Sequence, residues 1–411
     1  MAKNSLIAGL DIGSSKIRTV IGILEEGKGV PNIIGVGVAP SYGIRKGQVI
    51  DVEETINNIS SSLEDAERMA GEPVHHVFVG ISGTHLETFD CKGAVAVSKE
   101  EITEEDVDRV LETAQAISIP NNKKVLKIIP KFFCIDGQKG IRYPVGMVGK
   151  KLEVEAHIIA GSTPAIKNIE KCAHEAGVDI DDIIPNNLAA PEAVLSKRQK
   201  ELGVAVIDIG CGGTSFTVFE EGTMLYTTVI PVGGENVTND IAIGLRTSID
   251  VAEKLKIEHG SCSKDETGGE EEISLGDFNK NESAKISRKQ MIEIIEARYR
   301  EIFFLVREQL RLIRRDGMLP GGVILTGAAV KIPGVIDLAR ETLNLPIQIG
   351  FPLEANGVVE KVDDPSYVSA VGLLLWGMHF EIPNFYSFNL QNLNLLKRVR
   401  SLGGWVRKIL P

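Results

Sequence analysis

The chain has 411 residues, 43% hydrophobic and 25% charged, ordinary for a globular protein and enough for two sizeable cores. Its net charge is −11, and residues 382–411 carry five basic side chains and no acid, so the rest holds −16 and argues against nucleic acid as a partner. Five scattered cysteines without a C-x-x-C pair argue against a disulfide scaffold or a zinc site and suggest a reducing compartment. No 18-residue apolar run is present to span a membrane, and the N-terminus reads as having no secretory leader.

The first element is Leu6–Ile23, L-I-A-G-L-D-I-G-S-S-K-I-R-T-V-I-G-I. An apolar run meets Asp11, then Gly13-Ser14-Ser15-Lys16, then a second apolar run, the pattern of two buried strands in a hairpin. Ile33–Ala39 adds a third strand. Asp51–Ala70 carries Val52, Ile56, Ile59, Leu63 and Ala66 at helical spacing, and Val74–Ile81 is another buried strand. From His85 to about Ser162 the texture changes. Short strands (Ala94–Val97, Val125–Pro130, Leu152–Ala160) surround one acidic helix, Glu104–Ala116, which predicts a separate α+β insert. A helix over Thr163–Ala176, a strand over Ile180–Ile184 and a helix at about Ala189–Lys197 lead back.

Gly203–Phe219 then repeats the opening pattern. Val204–Ile207 runs into Asp208, and the loop carries Gly210, Gly212 and Gly213 before Thr214, more glycine than a hairpin turn needs. Clustered glycines let several N–H groups converge on an anion, and an adjacent carboxylate can hold its Mg²⁺. The two aspartates stand 197 positions apart (208 minus 11). That spacing predicts a duplicated fold that clasps a nucleotide phosphate tail between its halves, with Lys16 as a point charge on the phosphate. Helices follow over Asn236–Leu245 and Ser248–His259, then a polar stretch over Ser261–Lys285. A long helix over Ser287–Arg315 places Ile292, Ile295, Tyr299, Ile302, Val306 and Leu310 on one face. Gly321–Lys331 reads as strand–turn–helix, and a last core helix lies at about Ser366–His379.

In the tail, Leu395, Val399, Leu402, Val406 and Ile409 recur at 4-3-4-3 spacing, one apolar stripe widened by Leu396 and Trp405. Lys397, Arg398, Arg400, Arg407 and Lys408 lie mostly off the stripe. A basic amphipathic helix at an anionic membrane interface is expected. Gly403-Gly404 destabilises a helix by about 1 kcal/mol each relative to Ala, so the helix is expected to form only on lipid.

The two D-I-G hairpins and G-G-V-I-L-T-G, in that order, resemble the actin/hexokinase ATPase superfamily. Within it, G-L-D-I-G-S-S-K, G-I-R-K-G-Q-V-I-D, V-L-K-I-I-P, R-Y-P-V-G and E-A-R-Y-R-E-I resemble the FtsA family of bacterial cell division proteins, over residues 1 to about 380. The resemblance implies a duplicated α/β, ribonuclease H-like fold with four subdomains: 1–84 with 163–202 and 363–381; the insert 85–162; 203–235 with 316–362; and 236–315. A linker at 382–392 and a membrane-targeting helix at 393–411 would follow. It also implies ATP and Mg²⁺ as cofactors. Asp11 and Asp208 would flank the metal, Gly13, Ser14, Ser15 and Lys16 the β-phosphate, and Gly210, Gly212, Gly213 and Thr214 the γ-phosphate. Glu253 and Lys256 would meet the ribose and base, Gly327 and Ala328 the adenosine, and Glu192 would orient the attacking water in any slow hydrolysis. The implied partners are the C-terminal peptide of the tubulin-like FtsZ at Arg298, further copies in a filament, other division proteins on the insert, and the cytoplasmic face of the plasma membrane at the division site. A pilus-assembly or rod-shape relative, or a small-molecule kinase of the same fold, is the competing reading.

Overall fold

The computed structural model describes residues 5–24, 30–116, 119–263, 271–279, 284–353 and 356–381. The linker and the amphipathic stretch expected at 382–411 lie outside them. Strand β1 (Ser5–Ile12) pairs antiparallel with β2 (Lys16–Leu24) from Ser5–Leu24 to Ile12–Ile17, so the chain reverses at Gly13-Ser14-Ser15. The last six residues of β1 are all buried, because the strand is covered on both faces; that is why its apolar run does not alternate. Strand β3 (Asn32–Pro40) joins β2, and a small hairpin, β4 (Ile44–Arg45) and β5 (Gln48–Val49), follows. Helix α1 (Val52–Ala70) starts where the Asp51 carboxylate accepts the Glu54 N–H and stops at left-handed Gly71. Strand β6 (His76–Ile81) then lies parallel to β1.

Residues 87–163 form a compact unit of their own. It contains β7 (Glu87–Ala96), α2 (Glu104–Gln115), β8 (Lys123–Ile135), β9 (Gln138–Ile141) and β10 (Lys151–Ser162), with sheet order β7-β10-β8-β9. Val107, Val110 and Leu111 of α2 close a core with Phe133, Leu152 and Val154. The strands run longer than their apolar stretches suggested. One face of β7 and β10 is polar, tied by Lys131–Asp90 (2.8 Å) and Lys92–Glu155 (2.7 Å) pairs.

In the other unit, α3 (Thr163–Glu175), β11 (Asp179–Pro185), α4 (Asn186–Val194) and α5 (Lys197–Leu202) lead to the second half. Helix α4 begins three residues before the expected start and contains Pro191, which has no N–H to give to the Asn187 carbonyl. The Thr217 hydroxyl donates to that carbonyl instead, at 2.8 Å. The second half comprises β12 (Val204–Ile209), β13 (Thr214–Glu220), β14 (Thr223–Ile230), α6 (Gly234–Leu245), α7 (Ile249–His259), β15 (Glu272–Ser274), β16 (Lys285–Ser287), α8 (Arg288–Leu312), β17 (Val323–Thr326), α9 (Val335–Leu343) and β18 (Ile347–Ile349). Short β19 (Asn356–Gly357) and α10 (Val359–Val362) precede α11 (Val368–Glu381).

The two sheets repeat one plan. The first runs β11-β6-β1-β2-β3, with β19 beyond β3, and the second runs β18-β17-β12-β13-β14. In each, three antiparallel strands continue into two parallel ones. The fold is duplicated, as the paired D-I-G hairpins predict. Helix α11 is apolar on all sides and lies against β1, β2 and α4. Gly9 permits that approach, since a methyl there would stand 2.7 Å from the Ala370 carbonyl oxygen. The face read on α8 is buried as expected, Ile292 through Leu310. Among the described residues no helix is long and apolar enough to cross a membrane.

Candidate functional site

Strands β1 and β12 lie in the middle of their sheets, and each carries one residue before its end an aspartate that faces one cavity of about 700 Å³. Asp11 is buried and accepts a 2.8 Å hydrogen bond from the Asn186 amide. Burial nevertheless raises its carboxyl above the usual range, against the pull of Arg18 and that hydrogen bond. Asp208 accepts from the Ser369 hydroxyl at 3.2 Å and is pushed up to about 6, first by burial and then by the charge on Asp11. Two like charges thus share a poorly solvated cavity. The Asn186 Oδ1 is also buried there and has no hydrogen-bond partner among the described residues.

Around the carboxylates the backbone itself forms the wall. A methyl on Gly212 would lie 3.0 Å from Lys46 Cα and 3.2 Å from Ser14 Oγ, and one on Gly233 would stand 2.6 Å from the Gly210 and Cys211 carbonyl oxygens. The loops therefore nest closely, with little room for a side chain at Gly212 and none at Gly233. Lys16 and Lys46 line the cavity and form no ion pair among the described residues. Unmatched carboxylates, an orphaned amide oxygen, glycine backbone and free lysines fit a hydrated hard cation carrying a phosphate chain.

At the other end, Lys256 on α7 donates to Thr238 Oγ1 at 2.7 Å, Glu253 at 2.6 Å and the Gly234 carbonyl at 3.2 Å. Gly327 has φ 92, and a side chain there would overlap Asp208, so only glycine fits between strand β17 and the carboxylate. The next turn is held by Tyr299, whose hydroxyl donates to the Ala329 carbonyl at 2.6 Å.

All the residues expected at phosphate, ribose and adenosine line this cavity except Thr214. Thr214 is fully buried, and its hydroxyl donates to the Val232 carbonyl at 2.7 Å. Its neighbour Ser215 faces the cavity instead. Glu192 is not in the cavity either; it pairs with Lys200 at 2.8 Å. The polar group at the head of that helix which does face the carboxylates is Asn186. Asn186, Lys46, Ser215 and Ser369 are absent from the expected set. A sequence signal existed for Asn186 alone, two asparagines directly after the buried strand I-I-P. Arg298 lies on α8, where it makes a two-pronged pair with Asp240 of α6 (2.5 and 2.9 Å) and a further pair with Glu301.

Comparison with known proteins follows the same lines. Residues 205–372 match the family described as “Cell division protein FtsA”, and residues 83–160 match the “SHS2 domain inserted in FTSA”. The chain is 41% identical over 376 residues to the cell division protein FtsA of Bacillus subtilis, covering 91% of this chain and 84% of that one. It is 38% identical over 373 residues to that of Pseudomonas aeruginosa (91% and 89%) and 33% identical over 413 residues to that of Escherichia coli K12 (98% and 96%). Among solved structures it is similar to the PilM–PilN type IV pilus biogenesis complex, with TM-score 0.68, 18% identity, and 90% and 98% of the two chains covered. It is also similar to MreB5 of Spiroplasma citri bound to ADP, with TM-score 0.55, 14% identity, and 91% and 97% covered. These two likenesses establish an actin-like fold, and the sequence relatives establish the family: the chain belongs to the FtsA family of cell division proteins.

Proposed function

We propose that this protein binds Mg²⁺ and ATP in the cavity, polymerises on the cytoplasmic face of the plasma membrane through its C-terminal stretch, and tethers the FtsZ ring there. The observation that carries the nucleotide reading is the pair of buried carboxylates under the two glycine loops, with Asp208 pushed up to about 6 by burial and by the charge on Asp11. The bound nucleotide would supply a phosphoryl group open to attack by water. The chain's own residues then divide the work. Asp11 and Asp208 would hold the metal, and the loop N–H groups with Lys16 would neutralise the phosphate chain. Asn186 presents a free carbonyl oxygen that can orient a water but cannot take its proton, and Glu192 is engaged with Lys200. Turnover is therefore expected to be slow.

Arg298 is the candidate for the FtsZ peptide. Its guanidinium is already spanned by Asp240, so an acidic peptide must displace or share that carboxylate, which favours a modest affinity. The lipid reading rests on the charge pattern of the tail. Each basic residue near an anionic surface contributes about 1 kcal/mol, opposed by the acidic body. A filament presenting many tails binds at high effective concentration, so polymerisation and attachment reinforce each other.

Liposome co-sedimentation of the full chain and of a 1–385 truncation tests this reading. Only the full chain is expected to pellet, on anionic vesicles and more strongly with ATP. If both remain in the supernatant while nucleotide still binds, the tether is excluded.

A further inference from the structure

Between the two glycine loops lies the hairpin of β4 and β5. Arg45 pairs with Gln48, leaving Lys46-Gly47 as a two-residue turn with φ 50 and 76, the signature of a type I′ turn. Such turns favour Asn or Gly first, and a lysine at positive φ is uncommon. Three contacts fix the turn. The Gly47 N–H donates to Ser14 Oγ of the first loop at 3.0 Å. Lys46 Cα stands 3.0 Å from where a Cβ on Gly212 of the second loop would be. On the far side Gly47 packs so closely on the Ser82 carbonyl that no side chain fits there. The turn therefore touches both glycine loops, and its exposed lysine lines the cavity without an ion-pair partner among the described residues.

We infer that Ile44–Val49 is a third phosphate-binding element and that Lys46 is the specificity-determining residue for the terminal phosphate of a nucleoside triphosphate. This rests on the nucleotide reading above. Lys16 stands at the end of the first loop, whereas Lys46 sits against the second, the one expected at the last phosphate. A cation held there by rigid backbone gains a partner when a third phosphate is present and faces solvent when it is not. The unfavourable φ is then tolerated for the position it gives the ammonium.

The experiment is calorimetric titration of the full-length protein, its Lys46→Asn and its Lys46→Arg variants with ATP and with ADP, Mg²⁺ present. Lys46→Asn is expected to weaken ATP about tenfold, the size of one lost charged hydrogen bond, while ADP affinity changes little. Its nucleotide-free unfolding midpoint should be unchanged or higher, since asparagine suits the turn, and Lys46→Arg should keep most of the ATP preference. Equal weakening of ATP and ADP, or no weakening of either, overturns the assignment while leaving the nucleotide site intact. Wild-type protein that binds neither nucleotide overturns the site reading, and the assignment with it.

Discussion

Replacing Asp208 by asparagine is expected to make the nucleotide-free protein more stable and to remove its stabilisation by Mg²⁺ and ATP. The folded carboxyl titrates near 6, against an ordinary value of 3.8. Between those values the folded state holds more protons than the unfolded one, so wild-type stability falls as the pH rises from about 4 to about 6, and the loss is complete above that. A shift of that size corresponds to about 2 to 3 kcal/mol, which the neutral amide would recover at pH 7.5. The same carboxylate is half of the proposed metal site, so the variant should gain nothing from Mg²⁺ and ATP where the wild type gains. EDTA should abolish the wild-type gain as well. Urea unfolding of both proteins at pH 5 and pH 7.5, with and without Mg²⁺ and ATP, reads all of this. The apo difference must shrink at pH 5; a variant less stable than wild type at pH 7.5 without nucleotide defeats the account.

The parts of the molecule that could be read in advance are those set by local burial. Both D-I-G hairpins show because β1 and β12 are covered on both faces and carry a carboxylate just before their ends, and α8 shows because its apolar face repeats at helical spacing. The residues that lie elsewhere than expected do so because of register and distant contacts. Thr214 pairs with Ile209 and so already belongs to β13, where successive side chains point to opposite faces. Ser215, opposite Asp208, gets the cavity face, and Thr214 turns to the Val232 carbonyl. Glu192 lies outside the cavity for the helical version of the same reason. The helix begins at Asn186, so its first residue meets Asp11, whereas Glu192 lies six positions on and finds Lys200. Lys46 lies in the stretch G-I-R-K-G-Q-V-I-D, but nothing local marks it for the cavity, since its place depends on Ser14, Ser82 and Gly212, brought together only by the tertiary fold.

The sequence neighbours Arg298 and Tyr299 differ in burial on α8, Tyr299 lying in the core and Arg298 at its margin, and the expected effects of removing them differ accordingly. Tyr299 is fully buried beside Phe303, with ring centroids 6.4 Å apart, and its hydroxyl is held to the Ala329 carbonyl. Burial raises its phenol well above the ordinary value, so it stays a donor across the working pH range. Truncation by Tyr299→Ala leaves a ring-sized cavity and is expected to destabilise the protein by about 3 to 5 kcal/mol. Tyr299→Phe keeps the ring but strands the Ala329 carbonyl, a loss of about 1 to 2 kcal/mol. Because the turn at Ala328 and Ala329 lines the cavity, the same hydroxyl should matter for nucleotide affinity, so Tyr299→Phe should weaken binding as well as stability. Arg298→Ala is the matched control. Its two-pronged pair with Asp240 is only about a quarter exposed but lies away from the cavity, so its removal should cost about 1 to 2 kcal/mol of stability and leave nucleotide affinity unchanged. Urea unfolding and nucleotide titration of the three variants separate these outcomes. If Tyr299→Phe matches wild type in both, the hydroxyl plays no part in holding the turn, and its place is set by Gly327 against Asp208 and by the hydrogen bonds of Thr326 and Gly327 to the Pro365 carbonyl.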